Sequence, residues 1–172
     1  MNKIKDDDLP SAAGYALLEA NKWSSVAKMI TKKGYDKERA CIQVLSIELY
    51  LKSILMCEGI NISKIDNKKD NGHNNHYLYD LYNRISDKTK IKLKQNINFV
   101  PIHERDPLIE DKKYDFNTFE EALQGISNYF VDLRYEFDKF VNGQPIFVMC
   151  DFINKFEGAI KKLTKEIYST RI

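Results

Sequence analysis

One run of sequence limits what this chain can fold into. Residues 40–55 form the most apolar stretch of the protein, and they include neither Gly nor Pro. This composition predicts a buried helix that begins at Asp36 and runs to Gly59. The helix is apolar on more than one face, and a helix of that kind belongs in the middle of a bundle.

Two charged residues interrupt this apolar run. Glu48 and Lys52 are four residues apart, so they share one face of the helix, with the acid N-terminal to the base as an ion pair prefers. The same face carries Cys41, Leu45 and Leu55. Charges on the apolar side of a core helix are costly to desolvate unless they are paired or used. The pair is therefore either a structural ion pair or part of a site.

Helical periodicity extends over most of the chain, and no convincing strand alternation is present. We predict an all-α protein: an antiparallel bundle of four to five helices in one domain over residues 1–172. Two long irregular loops, 60–75 and 99–117, interrupt the bundle, and loops of this length are often functional. Besides the central helix, the expected helices lie at 10–34, 76–85, 86–97, from the Thr118 capping box through Phe137, and at about 146–168. The last helix should turn Lys161, Lys162 and Lys165 outward.

The composition excludes several classes of protein. The net charge is +2, from 27 basic and 25 acidic residues, so the overall charge does not indicate nucleic-acid binding. We expect no membrane association and a cytoplasmic location, because no apolar run looks long enough for a bilayer and no signal peptide is evident. Three cysteines at wide spacing fit neither a disulfide framework nor a zinc site, so we expect no metal and no cofactor.

Three short motifs occur in a characteristic order. They are Ile47-Glu48-Leu49-Tyr50-Leu51-Lys52, then His76-Tyr77-Leu78-Tyr79-Asp80-Leu81, then Arg134-Tyr135-Glu136. Their order and spacing, over roughly residues 11–140, resemble the HEPN domain family, a helical-bundle family of prokaryotes and higher eukaryotes. The resemblance implies a homodimer that pairs across a helical face, and a role in phage defence or a toxin–antitoxin system. It also implies RNA or a nucleotide as the ligand, or a cognate partner protein.

One departure from the family pattern bears on activity. Many HEPN proteins are metal-independent ribonucleases that carry an Arg, a spacer of four to six residues, and then a His. No Arg stands at that spacing before His73, His76 or His103. Lys68 and Lys69 occupy such positions instead, and lysine lacks the guanidinium fork that grips a phosphate. This replacement counts against ribonuclease activity.

A non-standard site remains a hypothesis. His76 would act as the base on a ribose hydroxyl and Arg134 would hold the phosphate. Glu48 and Lys52 would lie behind them, to orient these two side chains and to neutralise their charge. The alternative is that these four residues form a buried polar network that fixes helix register. The further binding residues that we predict are Lys68, Lys69 and Tyr135.

Three functions follow from these observations. The first is a HEPN-like binding or regulatory module that recognises a nucleotide, RNA or a partner protein. The second is a metal-independent ribonuclease with a diverged active site, and the third is a plain protein–protein interaction module. The missing Arg–spacer–His motif places the first ahead of the second.

Overall fold

In the computed structural model, residues 9–31, 35–61, 65, 77–97, 99, 116–127 and 150–170 are described. These ranges contain six α-helices and no strand, which confirms the predicted all-α bundle. Most of the two predicted irregular loops lies outside them, as do Gly34 and residues 128–149. The helices are α1 (Leu9–Met29), α2 (Asp36–Cys57), α3 (Leu78–Arg84), α4 (Asp87–Ile97), α5 (Phe119–Ser127) and α6 (Cys150–Ser169).

The α2 helix lies in the middle of the bundle, as its apolar composition predicts. It packs against α1, α3 and α6, and its buried residues occur on several faces. α1 runs antiparallel to α2, because Ser53 pairs with Ala13 near one end while Tyr50 pairs with Asn21 further along. α1 is likewise antiparallel to α6, since Lys161 reaches Ser24 and Gly14 lies beside Tyr168.

The length and hydropathy of α2 contradict the expectation that no apolar run is long enough to span a bilayer. Asp36–Cys57 is long and apolar enough to cross a membrane, which the sequence analysis did not anticipate. Most of its apolar window is buried by the other helices, 72% of it. The core helix of a soluble protein has these same properties, so α2 gives only weak support for a membrane span.

Local signals set the helix ends. α2 ends in a Schellman motif: Ile60 N–H donates to the Leu55 carbonyl at 2.9 Å and Gly59 N–H to the Met56 carbonyl at 3.0 Å. Gly59 has φ of 87°, a backbone conformation that favours glycine. The predicted capping box of α5 is confirmed, because Thr118 Oγ1 accepts from Glu121 N–H and Glu121 Oε2 accepts from Thr118 N–H.

An aromatic cluster joins α6 to α5. The rings of Phe156 and Phe119 lie 5.6 Å apart in an edge-to-face arrangement, and Phe152 lies 5.9 Å from Phe156. Such pairs add to the stabilisation that burial of their area gives. Buried residues from all six helices form one hydrophobic core together with this cluster.

Candidate functional site

The predicted ion pair is present inside α2. Lys52 Nζ lies 2.9 Å from Glu48 Oε1, and the two side chains are only 12% and 3% exposed. Each residue also makes a further interaction with the rest of the chain. The carboxylate is therefore neutralised within the core, and the pair meets the requirement that a buried charge has a partner.

The other predicted site residues lie outside the described residues. These are His76, Arg134, Lys68, Lys69 and Tyr135. A cleft that joins them to Glu48 and Lys52 stays a prediction.

A second buried carboxylate, which belongs to α6, packs against another face of α2. It was not predicted from the sequence. Glu157 of α6 is 4% exposed and accepts two hydrogen bonds from neutral side chains of α2. Gln43 Nε2 donates to Glu157 Oε2 at 2.9 Å, and Ser46 Oγ donates to Oε1 at 2.9 Å. Gln43 Nε2 also donates to Asn154 Oδ1 at 2.7 Å. Polar contacts of this kind join α2 to α6.

The sequence carried a signal for this carboxylate. Ile153, Glu157, Ile160 and Thr164 are spaced as one face of a helix, so Glu157 stands within an otherwise largely apolar stripe, much as Glu48 does in α2. A charged residue on a stripe of that kind is costly to bury without partners. The same reasoning that selected Glu48 would therefore have selected Glu157.

A cavity of about 510 Å³ opens beside this cluster. It lies between the C-terminal end of α1, the N-terminal part of α2 and the middle of α6. Its volume falls in the range typical of small-molecule sites. The polar residues that line it include Ser24 and Lys28 from α1, Arg39 and Gln43 from α2, and Glu157 and Lys161 from α6.

Positive charge predominates among the described residues that line the cavity. Lys28, Arg39 and Lys161 stand against a single acid, Glu157. Burial lowers the pKa of Lys161, and repulsion from Lys28 and Lys165 lowers it further. An anion in the cavity would relieve this repulsion. The prediction that Lys161 faces outward with Lys162 and Lys165 is wrong, because Lys161 is half-buried and its Nζ donates to Ser24 Oγ at 3.3 Å.

Within the described part of the chain, two buried polar atoms of residues that line the cavity have no hydrogen-bond partner. They are Gln43 Oε1, an acceptor, and Arg39 Nε, a donor. Arg39 Nη2 donates to Asp36 Oδ1 at 2.7 Å, and this bond does not engage Nε. A buried polar atom without a partner costs about 1–3 kcal/mol. A ligand that offers a donor to Gln43 and an acceptor to Arg39 would remove both costs.

A tyrosine extends the polar cluster toward α1. Tyr50 is fully buried, and its hydroxyl donates to Asn21 Oδ1 at 3.0 Å. Burial raises the pKa of Tyr50 to about 12, and the nearby charge of Glu157 acts in the same direction, whereas a hydrogen bond with Ser24 opposes it. The hydroxyl is therefore protonated at neutral pH, and its proton links α2 to Asn21 of α1.

The two carboxylates occupy different sides of α2. Gln43 and Glu48 are five residues apart, which places them about 140° from each other around the helix axis. The Glu48–Lys52 pair therefore does not line the cavity, whose described lining residues lie toward α1 and α6. No group of three or more metal-ligating side chains occurs within the described ranges.

Comparison of the chain with family models, with curated proteins and with solved structures gives no match. The resemblance to the HEPN family thus stays a prediction that rests on the three motifs.

Proposed function

We propose that this chain is a HEPN-like binding module that holds a small organic anion, a nucleotide in the first instance, in the cavity between α1, α2 and α6. The observation that carries this proposal is the charge of the cavity: Lys28, Arg39 and Lys161 surround a space in which Glu157, the one acid among the described lining residues, already accepts hydrogen bonds on both oxygens. Cations around a partly buried space favour an anionic ligand, because attraction between charges strengthens as water is excluded.

The arrangement favours binding over chemistry. Both oxygens of Glu157 accept hydrogen bonds, one from Gln43 and one from Ser46, so this carboxylate already links α6 to α2. The hydroxyl of Tyr50 stays protonated at neutral pH, since burial raises its pKa to about 12. The groups that can hold a bound anion are the cations Lys28, Arg39 and Lys161, and the function that they support is recognition.

The test is a binding titration with a charge-matched control. We expect calorimetry to detect binding of AMP, GMP, CMP or UMP to the wild-type chain. Lys28→Gln/Lys161→Gln should weaken binding at least tenfold, because each lysine–phosphate contact is a charge-assisted hydrogen bond. Lys22→Gln/Lys162→Gln removes one lysine from each of the same two helices, but at exposed positions that do not line the cavity, and should change the affinity little.

Two results would contradict the proposal. In the first, the wild-type chain binds none of these nucleotides and does not bind ribose 5-phosphate. In the second, both double variants lose affinity equally, which would show a general effect of net charge. Circular dichroism and thermal unfolding of each variant must confirm that the bundle is intact.

The ribonuclease alternative depends on His76 and Arg134, and it has its own test. If the chain is a binding module, the purified protein should leave labelled total RNA intact in the presence of a chelator. Cleavage that disappears in both His76→Ala and Arg134→Ala, with each variant folded, would instead establish a metal-independent ribonuclease with an unusual site. The wild-type chain and both variants should be assayed at the same concentrations. Cleavage by a contaminating nuclease is recognised because it persists in His76→Ala and in Arg134→Ala.

A further inference from the structure

Arg39 and Gln43 both line the cavity, and each holds one buried polar atom that lacks a hydrogen-bond partner among the described residues. They are four residues apart on α2, so their side chains leave the helix on one face. Gln43 is 4% exposed and Arg39 Nε is buried, yet no described residue forms a hydrogen bond with Gln43 Oε1 or with Arg39 Nε. Most buried polar atoms in proteins are paired, and an exception calls for an explanation.

The orientation of the Gln43 amide follows from its neighbours. A carboxylate only accepts hydrogen bonds, so the Gln43 nitrogen must face Glu157, and Asn154 Oδ1 accepts from the same nitrogen. The amide oxygen is thereby left as the unsatisfied atom. Arg39 is held in a similar way, because Asp36 Oδ1 accepts a hydrogen bond from its Nη2. The Nε–H of Arg39 is then the buried donor without an acceptor among the described residues. The unsatisfied pair is thus a consequence of the surrounding hydrogen bonds.

We infer that Arg39 and Gln43 select ligands that carry, besides their negative charge, an N–H donor next to a hydrogen-bond acceptor, as on the edge of a lactam or amidine ring. A small rotation of each side chain toward the cavity lets the N–H of such an edge donate to Gln43 Oε1 and lets its acceptor receive Arg39 Nε–H. Lys28 and Lys161 then remain for the anionic end of the ligand. This inference rests on the proposed function, because it assigns specificity within the same cavity.

The ring-edge contacts and the charge contacts can be separated by two probes. A nucleoside 5′-monophosphate carries both a phosphate and a ring edge with a donor next to an acceptor, whereas ribose 5-phosphate carries the phosphate alone. We expect the wild-type chain to bind at least one of AMP, GMP, CMP and UMP about tenfold or more tightly than ribose 5-phosphate, since one or two additional hydrogen bonds form.

Two substitutions then locate the selectivity. Arg39→Lys keeps the positive charge but removes the Nε–H, so it should weaken binding of the preferred nucleotide about tenfold and weaken binding of ribose 5-phosphate much less. Gln43→Met keeps the side-chain length and removes the amide oxygen, and should also weaken the preferred nucleotide more than ribose 5-phosphate, although it removes the hydrogen bonds of Gln43 Nε2 to Glu157 and Asn154 as well. Thermal unfolding reports whether either variant has lost structure, and Arg39→Lys keeps the inference testable if Gln43→Met does not fold.

The outcomes distinguish this inference from the proposed function. Equal affinity for ribose 5-phosphate and for every nucleotide, unchanged in selectivity by Arg39→Lys, would overturn the inference and leave the anion site standing. An equal loss for both probes in folded Arg39→Lys would also overturn it, because it would assign Arg39 a role in charge alone. Absence of binding by all five probes would overturn the proposed function and the inference with it.

Discussion

Phe156→Ala should lower the free energy of unfolding by about 3–5 kcal/mol, the range for truncation of a buried phenylalanine. Phe156 is fully buried, and its ring lies 5.6 Å from that of Phe119 and 5.9 Å from that of Phe152. Alanine leaves a cavity at the place where α6 meets α5, and the fixed helices around it can close that space only in part. Urea unfolding followed by circular dichroism measures the change.

A control on the same helix defines the scale of this effect. Lys162 is exposed, so Lys162→Ala should stay within about 0.5 kcal/mol of the wild-type chain. If Phe156→Ala were as mild as Lys162→Ala, the aromatic cluster would not contribute to packing as described. The slope of the urea transition should be the same for both variants, since a changed slope indicates a change in the unfolded state or a loss of two-state behaviour.

Lys52→Met is expected to destabilise the chain by about 3 kcal/mol, because it leaves the Glu48 carboxylate in the core without this counter-ion. Glu48 is 2% exposed, and Lys52 Nζ lies 2.9 Å from its Oε1. The expected loss lies at the lower end of the range for buried pairs, since the Lys52 side chain keeps 12% exposure. Chemical unfolding at neutral pH gives the value.

A double substitution shows whether charge or packing causes the loss. Glu48→Gln/Lys52→Met removes both charges and keeps similar side-chain volumes, so it should recover much of the stability that Lys52→Met loses. A double variant whose loss equals the sum of the two single losses would mean that packing and not the ion pair is responsible. Nucleotide affinity should be unchanged in the folded variants, because the pair does not line the cavity.

Local signals allowed much of the fold to be predicted. The apolar run at residues 40–55 gave the central helix, and its position among α1, α3 and α6 agrees with the prediction. The capping box at Thr118 and Glu121 marked the start of α5 correctly, since it depends on residues that are near in sequence. The ion pair of Glu48 and Lys52 was likewise predictable, because four-residue spacing on one helix brings the two side chains together.

The candidate site was not predictable in the same way. Gln43 and Glu157 are 114 residues apart, and no local spacing relates them. Lys161 belongs to a lysine-rich stretch that favours an exposed face, yet packing of α6 beside α1 brings it to Ser24. His76 and Arg134 were predicted from the family resemblance, and both residues lie outside the described part of the chain.

The sequence by itself determined much of the local structure of this protein: the helical segments, several of their ends and the ion pair within α2 follow from contacts between residues that are close in the chain. Only the tertiary structure decided where charge collects. The cavity takes Lys28 from α1, Arg39 and Gln43 from α2, and Glu157 and Lys161 from α6. Its composition depends on the rotation of each helix about its own axis, which the packing of the whole core fixes and no single helix specifies.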